Sequence, residues 1–263
     1  MAGSDGGEST LSVVTPSLNS ARYLGETLDS VSALTVPHEH VVIDGGSTDG
    51  TVELLEGRDD PALVWSSGPD GGQTQAVNLG FERARGDLLA WLNADDAYVP
   101  EHVDAAVGLL RADPHLDAVF GFMEIIDESG AARRRYRCGP FSWRRYLYFG
   151  EYLPTPTLIF RRSLVDREGG LDEGYVDAAD YDFYLRILRG ARVRRLKEPL
   201  VRFRYHDASK TGSNVGVQRR EALAVRLRYA RVGPERWLMR GAERAHRLRN
   251  SIVSPWPELP GER

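Results

Sequence analysis

Two adjacent carboxylates, Asp95 and Asp96, stand in the turn Asn93-Ala94-Asp95-Asp96, directly after the apolar run Leu88-Leu89-Ala90-Trp91-Leu92. Carboxylate oxygens at a strand end suit a hard cation such as Mg2+ or Mn2+. Such an ion is often held by only one or two protein oxygens, with phosphate and water completing its shell. It stabilises the negative charge of a departing diphosphate. The segments Pro16-Ser17-Leu18-Asn19 and Asp44-Gly45-Gly46-Ser47 also follow short apolar runs. Polar, small or acidic strand ends of this kind form one site when the strands lie side by side, because ligands of parallel sheets sit beyond the carboxyl ends of the strands.

The elements that must position them can be read from periodicity. Leu11-Ser12-Val13-Val14-Thr15 predicts a buried strand, and 21–34 a helix with Leu24, Leu28 and Val31 on one face. A second strand over 40–43 leads to Ser47-Thr48-Asp49, whose side chains offer N-cap chemistry for a helix through Leu54 and Leu55. A third strand over 63–65, a helix over 73–85 and a fourth strand over 87–92 follow. This alternation predicts βαβ units on a mainly parallel sheet. Further on, the pattern gives a helix over 101–110, strands over 118–126 and 157–160, and a helix over 180–188. Two short late strands over 193–196 and 201–205 precede a helix over 215–231. The basic, aromatic stretch 133–149 reads as a solvated, partly buried insertion, an acceptor-shaping segment or a contact for an anionic membrane surface.

The chain has 263 residues, 41% hydrophobic, enough for one large α/β unit with a helical appendage and too apolar for disorder. The net charge of −4 hides an asymmetry. Residues 1–130 hold 23 acidic side chains against 5 arginines, and residues 131–263 hold 15 against 29 basic ones. An acidic first half suits metal binding and a basic second half suits anionic partners, unless the halves simply attract each other within one fold. One cysteine, Cys138, excludes an internal disulfide and a cysteine-built zinc site, and reads as a buried or incidental thiol. No apolar run approaches the roughly eighteen residues of a membrane span. The opening residues lack the features of a signal peptide and read as a flexible leader over 1–10. A cytoplasmic location, including peripheral contact with the inner membrane face, is therefore expected.

Thr15-Pro16-Ser17-Leu18-Asn19, Val42-Ile43-Asp44-Gly45-Gly46-Ser47-Thr48-Asp49-Gly50-Thr51 and Leu92-Asn93-Ala94-Asp95-Asp96, in this order and spacing, resemble the bacterial, inverting family 2 glycosyltransferases of the GT-A fold. The resemblance implies a Rossmann-like, mixed but mainly parallel sheet flanked by helices. It covers 11–213, with a nucleotide-sugar-binding half over 11–122 and an acceptor-binding half over 123–213. The remaining 214–263 form an Arg-rich helical extension, for which membrane-surface association, a homodimer contact and a solvated face are the readings.

Carried over by position, the resemblance places Pro16, Ser17, Asn19, Asp44, Gly46 and Asn93 against the nucleotide. Asp44 would accept a hydrogen bond from the base. Asn93 takes the first place of a D-x-D pattern, where an Asp is usual. Asp95 is the first choice for the metal ligand and Asp96 the second. Gly68-Pro69-Asp70-Gly71-Gly72-Gln73 with Asn78 resembles a Pro-Asp-x-Gly-Gln segment, so Asp70, Gln73 and Asn78 would read donor-sugar hydroxyls. Ala179-Asp180-Tyr181-Asp182 resembles an acidic Glu-Asp-x-Asp motif whose first spaced aspartate, Asp180, would be the catalytic base; Ala179 stands where Glu is commoner. Arg204-Tyr205-His206-Asp207-Ala208-Ser209 resembles an Arg-x-His-x-x-Ser segment, with His206 a further metal ligand and Ser209 and Lys210 on the diphosphate.

The function these residues imply is transfer of a sugar, with inversion, from a nucleotide-diphosphate sugar to an acceptor hydroxyl. UDP is the favoured nucleotide and Mn2+ or Mg2+ the cofactor. The acceptor would be a glycan, a lipid-linked or a small molecule in bacterial polysaccharide or natural-product synthesis, and no nucleic acid is involved. A metal-dependent nucleotidyltransferase and a non-catalytic sugar-nucleotide or glycan-binding module are the alternatives.

Overall fold

The computed structural model describes residues 10–149, 153–206 and 215–229. The elements in chain order are β1 (Leu11–Ser17), α1 (Leu24–Ser32), β2 (His38–Asp44), α2 (Thr51–Glu56), β3 (Leu63–Ser67), α3 (Gln73–Arg83), β4 (Leu88–Trp91) and β5 (Ala97–Tyr98). Then come α4 (Pro100–Ala112), β6 (Ala118–Ile126), β7 (Ala132–Tyr136), α5 (Trp143–Phe149), a 3-10 turn (Thr155–Thr157) and β8 (Ile159–Arg161). The series ends with α6 (Arg162–Glu168), α7 (Ala179–Ile187), β9 (Val193–Arg204) and α8 (Val215–Tyr229). The leader, Ser209, Lys210 and the chain beyond α8 lie outside the described residues.

Among the described residues the strands form one nine-stranded sheet in the order β3-β2-β1-β4-β8-β6-β9-β5, with β7 paired to β6. The first four strands in this order run parallel, as their unbroken apolar runs predict. β1 is buried along its whole length, whereas β3, at the sheet edge, alternates between half-buried and exposed positions. α3 lies so close over β1 that a Cβ on Gly80 would stand 2.2 Å from Val14 Cγ1, a contact no larger residue could make.

The late segment differs from its sequence reading. Two strands were expected, but β9 is one strand of 12 residues. Pro199 lacks an N–H and breaks the apolar pattern, and the sheet absorbs it as register shifts beside Phe122 instead of ending the strand. The stretch 133–149 holds regular β7 and α5, exposed along most of β7 and partly buried along α5. Exposed arginines mask the β7 edge strand, although the turn residues Asp127-Glu128-Ser129-Gly130 before it are a hairpin signal. α1 starts at Leu24 rather than 21: residues 21–23 form a turn, in which the N–H groups of Tyr23 and Leu24 share the Ser20 carbonyl (3.0 and 2.9 Å).

Beneath the strand ends, His40 is buried with Nε2 2.9 Å from Thr15 Oγ1. Burial depresses its pKa from 6.5 to about 3, with nearby His38 adding to the effect. Between these values the unfolded chain binds a proton that the folded chain refuses. The stabilisation is therefore whole above pH 6.5 and is lost as pH falls towards 3, at about 1.4 kcal/mol per unit. The Tm advantage of wild type over a His40→Gln variant is expected to shrink between pH 7 and pH 5; a constant gap would contradict this.

Candidate functional site

Because β1, β2 and β3 are parallel and in register, Ser17, Asp44 and Ser67 stand in one row at their carboxyl ends. Asp44 is 1% exposed, and its Oδ2 accepts from the N–H of Gly46 (3.1 Å) and of Ser47 (2.9 Å) and from Ser67 Oγ (2.6 Å). Burial opposes its ionisation, but the hydrogen bonds from Ser47, Ser67 and Gly46 outweigh it and hold the carboxyl below 3.8. Oδ1 accepts only from Ser47 Oγ, leaving an acceptor position on an ionised group. The Ser17 hydroxyl is buried and has no hydrogen-bond partner among the described residues. An orphaned polar group at a strand end is what a ligand-binding row requires.

Asn19 closes this row from one side: its Oδ1 accepts the Thr48 N–H (2.9 Å) and its own N–H donates to Ser47 Oγ (2.7 Å). It adopts φ 50, a left-handed conformation that Asn tolerates. Opposite, the Asp70 carboxylate leans over the turn, where a Cβ on Gly45 would be 3.1 Å from Asp70 Oδ2. Gln73 Nε2 donates to Asn93 Oδ1 (3.0 Å), which also accepts from Trp91 Nε1 (3.0 Å). Asn93 Nδ2 in turn donates to Asp96 Oδ2 (3.3 Å). An Asp at 93 would set a second carboxylate against buried Asp96, so the amide suits this position. Asn78 is placed differently. Its amide exchanges two hydrogen bonds with Leu171 (3.0 and 2.7 Å), tying α3 to the segment before α7.

The two aspartates of the acidic turn have separate environments. Asp96 is 1% exposed, and its Oδ1 accepts the Arg204 N–H (3.0 Å). Burial raises its pKa well above 3.8, with the Asp95 charge adding to it. The Asp95 side chain is 30% exposed, and its Oδ2 lies 3.0 Å from His206 Nε2. The structure thus brings Asp95 and His206 together as an accessible pair and keeps Asp96 beneath them.

Arg204, the first residue of the Arg-x-His-x-x-Ser segment, holds this arrangement, a role that the sequence did not assign to it. It is 1% exposed; Nε donates to the Asp95 carbonyl (3.1 Å) and Nη1 to the carbonyls of Asp127 and Glu128 (3.1 and 3.2 Å), while Nη2 pairs with Glu26. Its guanidinium lies 4.6 Å from the Tyr23 ring centroid, and that ring sits 5.2 Å from the His206 ring. An arginine closing a strand two residues before a histidine was the available signal.

Asp180 lies in the first turn of α7, half-buried, with Oδ2 accepting from Thr155 Oγ1 (2.9 Å) and Oδ1 from the Tyr181 N–H (2.7 Å). Burial raises its pKa above 3.8 against these hydrogen bonds, and the Asp177 charge adds to the rise. The protein alone supplies this upward shift. Buried Tyr184 donates to the Thr155 carbonyl (3.2 Å), and burial, with the Asp180 charge adding to it, raises the pKa of its hydroxyl. Asp182 is wholly buried against Arg186 (2.7 Å). Cys138 is buried and its thiol is pushed up to about 11, so it is no nucleophile at neutral pH. No helix among the described residues is long and apolar enough to cross a membrane.

A family model described as Glycosyl transferase family 2 matches residues 12–169. An uncharacterized glycosyltransferase of Mycobacterium tuberculosis (strain H37Rv) is 37% identical over 180 residues, 67% of this chain and 68% of that protein. The glycosyltransferase YwdF of Bacillus subtilis (strain 168) is 28% identical over 225 residues, 81% of each chain. Among solved structures, S. aureus TarS 1-349 in complex with UDP-GlcNAc superposes with a TM-score of 0.70 at 22% identity, covering 93% of this chain and 73% of that one. The mannosyltransferase PcManGT from Pyrobaculum calidifontis, in complex with GDP-Man and Mn2+, gives 0.63 at 20% identity, covering 97% and 78%. At these identities the likeness is one of fold, and the fold is GT-A, as the motifs imply.

Proposed function

The chain belongs to glycosyltransferase family 2 and is a glycosyltransferase, and from that premise we propose that it moves a sugar, with inversion, from a nucleoside-diphosphate sugar to an acceptor hydroxyl. Membership sets aside the nucleotidyltransferase and binding-module readings. The observation that carries the proposal is the accessible Asp95–His206 pair, joined through Asn93 and Gln73 to the turn beside Asp44. The nucleotide lies along the row of Ser17, Asp44 and Gly46, with Pro16 and Asn19 shaping its edge. Asp44 accepts an N–H of the base, and Asp70 and Gln73 face the donor sugar.

The donor set fits a divalent ion. Asp95 and His206 supply one oxygen and one nitrogen, and no larger His/Cys/Asp/Glu cluster occurs among the described residues, so phosphate and water would complete the shell. When bound, Mn2+ or Mg2+ supplies electrostatic stabilisation to the leaving diphosphate. Asp180 takes the proton of the acceptor hydroxyl as its oxygen bonds to the anomeric carbon and the carbon–oxygen bond to the diphosphate breaks. Attack from the opposite face turns an α-linked donor into a β-linked product. The printed ligands UDP-GlcNAc and GDP-Man of the fold neighbours support a nucleotide-sugar donor, and UDP remains the favoured nucleotide. Ser209 and Lys210 retain their proposed place on the diphosphate.

Thermal-shift titration with UDP, GDP and dTDP in the presence of Mn2+ tests the donor, since nucleotide binding needs no acceptor. A shift with UDP is expected. A shift with GDP alone would overturn the nucleotide assignment, and none with any nucleotide would overturn the donor class.

A further inference from the structure

The helix α8 lies beyond the stretch matched by the family model, yet it reaches the start of α7. Its Glu221 carboxylate accepts three successive backbone N–H groups: Val176 (3.2 and 3.1 Å to its two oxygens), Asp177 (2.8 Å) and Ala178 (3.0 Å). Ala178 is the N-cap of α7 and makes no side-chain cap bond. Its neighbour Ala179 has no polar side chain either, and the N–H groups of 176–178 that lead into the helix are satisfied from α8 rather than by a local side chain. Asp182, the other acid of the first turn, is taken by Arg186. Asp180 is thereby left to bond Thr155 and the Tyr181 N–H.

The rest of α8 is anchored around the same point. Val225 is wholly buried in the core that includes Tyr181 and Phe183. Arg226 Nε donates to the Tyr181 hydroxyl (3.2 Å), which itself bonds the carbonyls of Tyr146 and Leu147 (3.0 and 2.9 Å). Arg228 Nη1 lies 3.6 Å from Asp182 Oδ1. Contacts at 176–178, 181 and 182 thus bracket Asp180 on both sides.

We propose that Glu221 is a positioning residue for the transfer reaction: by receiving the N–H groups of residues 176–178 it fixes the entry of α7 and with it the Asp180 carboxylate. The inference rests on Asp180 being the base. Charge-assisted bonds to three amides hold a backbone firmly, and a misplacement of about 1 Å at a reacting group can cost on the order of a hundredfold in rate.

The test is a double-mutant cycle in the full chain, read as kcat, donor KM and UDP affinity for wild type, Glu221→Ala, Asp180→Asn and the double variant. Glu221→Ala is expected to lower kcat by about ten- to a hundredfold with donor KM and UDP affinity nearly unchanged. In the Asp180→Asn background it is expected to change kcat little, because the group it positions is gone. An equal loss in both backgrounds, or a rise in donor KM with kcat intact, would overturn the proposal. If the alanine variant does not fold, Glu221→Gln replaces it, keeping the shape but losing the charge and one acceptor oxygen, with the same expectation at smaller size. Wild-type turnover by Asp180→Asn would overturn the base assignment itself. A crippled Asp180→Asn beside an unaffected Glu221→Ala would overturn only the role of Glu221.

Discussion

Asp180→Asn is expected to lower kcat by about a hundred- to ten-thousandfold while donor KM stays close to wild type, the span of removing a positioned general base. Asn keeps the size of the side chain and can still accept the Thr155 hydroxyl bond, so the fold and the α7 start should persist. What it loses is the site that takes up the acceptor proton. In the proposed transfer the diphosphate lies on the other side of the reacting carbon, so donor binding should not register the change. A fall in kcat without a change in donor KM is the signature of an interaction made only in the transition state. The pH profile adds a second reading. A base must be ionised, so the rate rises with pH through its pKa, and burial puts that pKa above 3.8. The acid limb of kcat/KM is therefore expected above the ordinary carboxylate range, and wild-type turnover by the Asn variant would refute the assignment.

The second large effect is at the acidic turn, where the two aspartates should fail in different ways. Asp95→Ala removes an accessible oxygen beside His206 and touches little of the core, so its Tm should stay near that of wild type. Its kcat/KM is expected to fall on the order of a thousandfold, the scale of losing electrostatic stabilisation of developing charge. Added Mn2+ should not restore it. Asp96→Ala leaves the Arg204 N–H and the Asn93 amide without their buried partner, each at about 1–3 kcal/mol, so its loss should appear first in Tm. Equal Tm losses for the two variants, with equal metal dependence, would contradict this division of labour.

The strand ends were legible because each motif follows an apolar run, and parallel pairing then brings Ser17, Asp44 and the acidic turn to one edge without further instruction. The sequence left open which aspartate faces outward, since that depends on β9 pairing with β5 and delivering the Arg204 N–H to Asp96, 108 residues away. Asn93 read as a departure from the usual acid; in the folded protein its amide joins Trp91, Gln73 and Asp96, a geometry no spacing rule contains. Asn78 sits in a suggestive motif but spends its amide on Leu171. Thr155 and Glu221, which hold Asp180 and the start of its helix, carry no local pattern at all, because their partners lie 25 and 43–45 residues distant.

The proposed transfer requires a nucleoside diphosphate held through a divalent ion on Asp95 and His206. Calorimetric titration of UDP into the protein, with and without Mn2+, tests it most directly when repeated on Asp95→Ala. Mn2+ is expected to strengthen UDP binding to the wild type and to have no such effect on Asp95→Ala. Mn2+ strengthening UDP binding to Asp95→Ala as much as to wild type would contradict it.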